Sequence, residues 1–422
     1  MDTNKREFLK TLNNVVVVLG NGFDLHCGLH SSYLDFYKYT YDKTANILFW
    51  FELFQQKQFS EVNDYHVKIE KYTIWDVFFA LNYKEEGNVT TKNWFDIEKL
   101  ILSSLISEDD VKNHREWSQL KLDSVVDWNQ IKQYYIKGTQ CLTDENQFVA
   151  KIFRYKAGLR NYPDFFEFLL DELKLFEQEF GKFIERQIKS DYFSNQTKCY
   201  PYNKKYFDNA ISTIQNLALL EKISRIDTFN YSYIQGDVVK DKIHHINGTI
   251  DQPIFGVDSI YFKPSDKRFI FTKTARRMDA DTSNQNISYP IRIENVVIYG
   301  HSLNDADFNY YFPLFDKINL LDPQTSGIVV FVFTVFNSNK EAQIKTDVRE
   351  KMSHILYEYA KSKNGEINAE RFLDSLTTQG RVFVSEIHRI ESTYTNDFDE
   401  EWDKIEKRYE SVKSNPSIAW FH

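Results

Sequence analysis

Glycine and proline are scarce in this chain. Its 422 residues hold 14 Gly and 8 Pro, well below average usages of ~7% and ~5%. That excludes collagen-like, linker-rich and low-complexity classes. Cysteine is scarcer still. Cys27, Cys141 and Cys199 form no CxxC pair, so the chain offers no disulfide framework, and a reducing cytoplasm is the expected compartment. No apolar run approaches the ~18 residues needed to span a bilayer; residues 328–336 are among the longest. The charged residues 1–7 lead into a strand-like run rather than a secretory apolar segment. An excess of positive charge is also lacking. Net charge is −9, a sign that repels a phosphate backbone and sets nucleic acid aside as a partner unless a local basic patch intervenes. There is no Walker A loop, no GxSxG and no HExxH. His26 and His30 are four apart and suited to one helical face, but no third ligand stands at suggestive spacing, so no metal is expected.

What is present is core-forming material. Hydrophobic residues are 42% and aromatics 16%, including 35 Phe and 26 Tyr, enough to order a large globular chain. Residues 14–20 are a β-branched run ending in glycine, as in a strand buried on both faces of a parallel sheet. Further strands are expected at 222–229, 242–247, 294–300, 327–336 and 381–387, with helical patterns between several of them. This predicts an α/β, Rossmann-like domain with a mainly parallel sheet. The organisation read from the chain is a core of residues 1–40 plus 221–345, a mostly helical insertion at 41–220, and C-terminal helices with an edge strand at 346–422. The clearest helix spans 163–190, where Phe165, Leu169, Leu173, Phe176, Phe180, Phe183 and Ile188 keep close to a 3.6 period. Another is expected to start at Ser338, with Glu341 completing a capping box, and a third at 397–410.

Three of the few glycines, Gly20, Gly22 and Gly28, fall together where the first strand ends. A glycine turn opening a helix lets backbone approach a phosphate and offers free N–H donors. The same pattern also serves a tight turn with glycines for helix packing. It is not GxGxxG, because Leu25 stands at the last glycine position.

The stretch 19–36, with Gly20, Asn21, Gly22, Phe23, Asp24, Gly28 and an aromatic-rich sequel, resembles the opening of the bacteriophage abortive infection AbiH family. The glycine pattern is also similar to the first loop of sirtuins. Thr228-Phe229-Asn230 resembles the sirtuin Thr-Gln-Asn segment, and His244-His245-Ile246-Asn247-Gly248 resembles the strand ending in His-Gly. Gly300-His301-Ser302-Leu303-Asn304-Asp305 resembles both the sirtuin Gly-Thr-Ser-Leu segment and the AbiH-like form GHSLxDxD. Trp94-Phe95-Asp96-Ile97-Glu98 is a weaker echo of the same family.

The resemblance implies a sirtuin-like core that takes a nicotinamide dinucleotide, NAD, or a related nucleotide. It also implies antiphage defence by abortive infection, with NAD hydrolysis to nicotinamide and ADP-ribose as the chemistry. Asn230 falls on the asparagine that orients the ribose or the attacking water. Asn247, not histidine, stands immediately before Gly248. His245 lies two residues earlier, on the same strand face by period two. A phage-derived trigger and a homo-oligomer are further expectations. A non-catalytic nucleotide sensor and a nucleic-acid-acting toxin are the alternatives.

Each residue also has a plainer role. Asn230 suits a turn cap, His245 a hydrogen-bonded structural histidine, and Asp24 the capping of a helix. Ser302 with Asp305 fits a capping box at a helix start, and Asp305 and Asp307 fit either a ribose hydroxyl or solvent. The segment 263–278 carries six Lys/Arg and one Asp and reads as a solvated face or a phosphate grip. Arg276 and Arg277 suit the latter, because guanidinium binds phosphate bidentately.

Overall fold

The computed structural model describes residues 12–56, 69–85, 97–113, 124–137, 142–160, 164–189, 204–216, 222–234, 240–279, 292–304, 307–322, 324–325, 327–335, 341–363 and 368–388. Two compact units divide the chain. One comprises Met1–Ser31, Ile184–Pro253 and Asp279–Tyr394; the other comprises Ser32–Phe183, Ile254–Met278 and Thr395–His422.

The first unit is built on a sheet. Four consecutive valines and a leucine make β1, Val15–Leu19, with every residue buried. Alternate side chains point to opposite faces, so an all-apolar strand requires cover on both. The remaining strands are β2 (Ile223–Thr228), β3 (Ile243–His245), β4 (Gly248–Thr249), β5 (Gln252–Pro253), β6 (Asn295–Tyr299), β7 (Ile328–Val335) and β8 (Val382–His388). β4 and β5 form a separate antiparallel pair. The others form one six-stranded sheet in the order β3-β2-β1-β6-β7-β8, and every pairing in it is parallel. In sequential rank that is 3-2-1-4-5-6, the order of doubly wound sheets in which ligands settle where the order reverses. The reversal lies between β1 and β6, whose residues pair from Val15 with Asn295 to Leu19 with Tyr299.

One face of the sheet buries Val16, Val18, Val296, Ile298, Val329 and Phe331 against helices Phe308–Lys317, Glu341–Lys361 and Ala369–Thr378. Residues of the other face, such as Val17, Leu19, Val297 and Tyr299, are equally buried.

The second unit is helical, and between β1 and β2 no strand occurs among the described residues. Helix Ile74–Glu85 opens with a reciprocal cap. Thr73 N donates to Asp76 Oδ2 at 2.6 Å, and Asp76 N donates to Thr73 Oγ1 at 3.0 Å. Trp75, Phe78, Trp128, Phe148 and Phe176 fill the interior. Helix Phe165–Lys189 falls within the 163–190 read from periodicity; Pro163 lies outside the described residues.

The structure departs from several expectations. Ser302 does not cap a helix. That helix begins at Phe308 with Asp307 at its N-cap, because Gly300 and Leu303 sit at φ 64° and 55° and turn the chain away from a helical path first. His26 and His30 do not share a helical face, since the helix Asn21–Cys27 ends in the left-handed Gly28. Three of the six cations in the basic segment are spent on carboxylates rather than on solvent or a phosphate, while Lys263 and Lys267 are exposed. Arg276 Nη2 pairs with buried Glu177 at 2.7 Å, Lys273 with Glu98 at 2.8 Å and Arg268 with Asp110 at 2.7 Å. Ser338, Trp94 and the tail 397–410 lie outside the described residues.

Candidate functional site

Because β3, β2, β1 and β6 are adjacent and parallel, their carboxyl ends share one edge. The segments leaving them are Asn247-Gly248, Asn230, Gly20-Asn21-Gly22 and Gly300-His301-Ser302. The structure therefore brings these sequence-selected residues to a common edge. Gly28 is not among them. It caps the far end of helix Asn21–Cys27, roughly 10 Å along at 1.5 Å per residue. β3 ends at His245, so strand alternation does not extend to Asn247. Asp305 lies outside the described residues.

The strand exits are joined by a run of hydrogen bonds. His245 Nδ1 lies 3.2 Å from Asn230 O, and Asn230 Nδ2 donates to Gly20 O at 3.0 Å. Gly20 N donates to Tyr299 O at 2.9 Å, and Gly22 N to Gly300 O at 2.8 Å. The glycines serve this seam. A Cβ on Gly20 would stand 2.4 Å from the His301 Cα, and one on Gly300 would stand 2.4 Å from Phe23 N. The close approach that glycine permits is made here between two strand exits. Phe23 is fully buried and meets Tyr299 edge-on at 5.4 Å. Asn21 Oδ1 accepts from Ser31 Oγ at 2.5 Å.

Asp24, one turn into that helix, is 1% exposed. It accepts from Ser232 Oγ at 2.6 Å and from Tyr206 OH at 2.9 Å. Burial pushes its carboxyl up to about 6, and the bonds from Ser232, Tyr206 and Asn230 offset only part of that. Nearby Cys27 is buried, and its thiol is pushed far up by burial and by the Asp24 charge. It is therefore not a nucleophile at neutral pH.

His245 is oriented by its neighbour. A backbone carbonyl only accepts, so the bond to Asn230 O places the proton on Nδ1 and makes Nε2 the basic nitrogen. Burial lowers the imidazole below its ordinary value, against the raising effect of that bond. The ring is neutral at pH 7. His301 has the opposite arrangement. Its Nδ1 accepts from Leu303 N at 3.0 Å, and its Nε2 stands 3.6 Å from Asp307 Oδ2. Its ring meets Phe229 at 4.3 Å.

Sequence reasoning passed over two groups. Tyr206, on helix Lys204–Asn216, completes the Asp24 cluster. Arg225 and Asp227 occupy one face of β2: Arg225 Nε donates to Asp227 Oδ1 at 2.5 Å, Tyr310 OH to Asp227 Oδ2 at 2.6 Å, and Arg225 Nη2 lies 2.6 Å from His244 Nδ1. Burial alone would raise Asp227, but the bonds from His244, Tyr310 and Arg225, with the Arg225 charge, hold it below its ordinary value. Two charged residues at period two inside a buried strand were a visible signal of such a pair.

Among the described residues, no group of three or more His, Cys, Asp or Glu could hold a metal ion, and no helix is long and apolar enough to cross a membrane. The family model described as Bacteriophage abortive infection AbiH matches residues 16–326, most of the chain. No curated protein and no solved structure matches it.

Proposed function

The chain belongs to the bacteriophage abortive infection AbiH family, and on that premise we propose that it acts in phage defence by binding a nicotinamide dinucleotide along the carboxyl edge of its Rossmann-like, sirtuin-like sheet and hydrolysing it. The observation that carries this reading is the convergence of four strand exits on one edge beside the reversal in strand order.

His245 is the base in this reading. Its Nε2 takes a proton from water, and the water oxygen bonds to the ribose carbon. The bond from that carbon to the pyridinium nitrogen breaks, its electron pair leaving with nicotinamide. ADP-ribose and a proton are the other products. The developing oxocarbenium character resembles that of glycoside cleavage. Asn230 is a positioning residue: its carbonyl fixes the His245 tautomer, and its side chain holds Gly20. One observation favours a non-catalytic sensor instead. Asn247, not histidine, stands immediately before Gly248, where the resemblance puts the base.

The test is nicotinamide release by the purified chain, alone and with phage components, compared with a His245→Gln variant. Release that falls ~100-fold or more in the variant supports the enzyme. NAD binding without release supports the sensor. Neither binding nor release defeats both.

A further inference from the structure

Three buried side chains meet inside the sheet unit. Tyr206 OH lies 2.9 Å from Asp24 Oδ1 and 3.0 Å from Ser232 Oγ, and Ser232 Oγ lies 2.6 Å from Asp24 Oδ2. The contacts close a ring through three separate pieces of chain: helix Asn21–Cys27, helix Lys204–Asn216 and the segment leaving β2. All three residues are 1% exposed, so bulk water does not complete their bonds. Two further bonds join the same pair of helices. Asn209 Nδ2 donates to Cys27 O at 3.1 Å, and Cys27 Sγ donates to Thr213 Oγ1 at 3.9 Å.

Counting protons decides the state of this ring. Each O···O contact at such a distance calls for one proton between its oxygens. An ionised Asp24 only accepts, so the hydroxyls of Tyr206 and Ser232 supply two protons for three contacts. Both then point at the carboxylate, and the Tyr206 and Ser232 oxygens face each other at 3.0 Å with no proton between them. A protonated Asp24 supplies the third. Oδ1 then donates to Tyr206 OH, Tyr206 OH to Ser232 Oγ, and Ser232 Oγ to Asp24 Oδ2. Each group donates once and accepts once.

We infer that Asp24, Tyr206 and Ser232 form a proton-dependent latch: with its proton the ring fastens helix Lys204–Asn216 to helix Asn21–Cys27 and the β2 exit, and without it that fastening loosens. Burial pushes the Asp24 carboxyl up to about 6, so the ring is closed at pH 5 and lacks its third proton at pH 7.5. The other titratable groups facing Asp24 do not change over that range. Burial holds the Tyr206 hydroxyl well above its ordinary value, and the Cys27 thiol is pushed far up as well. The β2 exit faces Asp24 with neutral Asn230 and Ser232, and His26 turns to the Tyr299 ring at 6.0 Å. Asn230 donates to the same carboxyl and to Gly20 O, so the state of the latch reaches the strand exits. The latch does not depend on what those exits bind.

The experiment is amide hydrogen exchange of helix Lys204–Asn216 in the full chain at pH 5 and pH 7.5, corrected for the intrinsic pH dependence of exchange. An opening that hydrates Asp24 returns it to an ordinary 3.8. Between 3.8 and about 6 the closed state holds more protons than the open one, so opening becomes easier as pH rises. Protection should be about tenfold lower at pH 7.5 than at pH 5. Asp24→Asn keeps an acceptor for Ser232 and a donor for Tyr206 at every pH, and its protection should be the same at both. Tyr206→Phe and Ser232→Ala, singly and together, test the ring itself. Their effects on protection should be coupled by about fivefold or more at pH 5 and uncoupled at pH 7.5. In the Asp24→Asn background they should be coupled at both. A pH dependence that persists in Asp24→Asn overturns the latch. So does an absence of coupling at pH 5, which would mean a buried carboxyl with no ring. If Tyr206→Phe fails to fold, the natural chain compared with Asp24→Asn carries the test.

Discussion

Asp24 carries a charge that the fold opposes. Its carboxyl goes from an ordinary 3.8 to about 6 on burial, so over that interval the native state holds more protons than the unfolded chain. Stability therefore falls as pH rises from about 4 to about 6, and the penalty is fully present above the native value. A rise of that size disfavours the ionised native form by roughly 3 kcal/mol. Asp24→Asn, neutral at every pH, should gain stability over the natural chain at pH 7.5 and lose that advantage by pH 4. Urea unfolding at the two pH values measures it, and a difference that does not vary with pH would show that the carboxyl is not desolvated as described. His245 gives the opposite signature in activity. Only its unprotonated Nε2 accepts a proton, and burial places its titration below the ordinary 6.5. Nicotinamide release should rise to a plateau with a midpoint under that value; a midpoint above it removes His245 as the base. Asn230 and His245 were visible in the sequence because each sits at or just past a strand end, and Asp24 because it follows the glycine turn. Tyr206 was not. It meets Asp24 across 182 residues, and nothing local marks a tyrosine that reaches so far.

At the scale of elements, legibility followed burial. The central strands β1, β6 and β7 are largely β-branched runs buried in the sheet, and their composition announces them within a residue or two. The pair Gly248–Thr249 and Gln252–Pro253 is two residues a side, too short to carry a period. The helix after β6 was misplaced by the Ser302–Asp305 pattern, since a capping signal says nothing of two left-handed residues that intervene. The glycines were legible as special and ambiguous in purpose, and the seam between β1 and β6 resolves what two of them touch. Gly300→Ala must hold alanine at φ 64° with its Cβ 2.4 Å from Phe23 N, and backbone cannot yield as a side-chain tip does. We expect a loss of more than about 2 kcal/mol. Gly158 is the contrast. It lies inside helix Asp144–Arg160 with nothing within 4 Å of an added Cβ, so Gly158→Ala should gain ~0.5–1 kcal/mol. Denaturant midpoints of the two variants should move in opposite directions; a shared direction contradicts the packing described.

For the molecule as a whole, the question is where its positive charge goes. A net charge of −9 leaves nucleic-acid binding dependent on a local patch, and 263–278 was the densest candidate. Three of its six cations are structural instead. Arg276 forks onto Glu177 through Nη1 at 2.9 Å and Nη2 at 2.7 Å, and both residues are buried. Removing one partner strands the other charge out of water, which costs about 3–5 kcal/mol. Arg276→Ala should therefore weaken the helical unit, seen as lost amide protection there, and Glu177→Ala should do the same. A phosphate grip would behave otherwise, with Arg276→Ala leaving stability intact and weakening an anion. Arg268, Lys273 and Arg276 are already paired with Asp110, Glu98 and Glu177, so they do not neutralise phosphates or release the counterions condensed on a nucleic acid. The full chain should leave single-stranded RNA and duplex DNA unshifted in a gel at low salt. A shift that weakens steeply with added salt would mean that a basic surface elsewhere overrides the net charge, and the nucleic-acid-acting alternative would then displace the nucleotide reading.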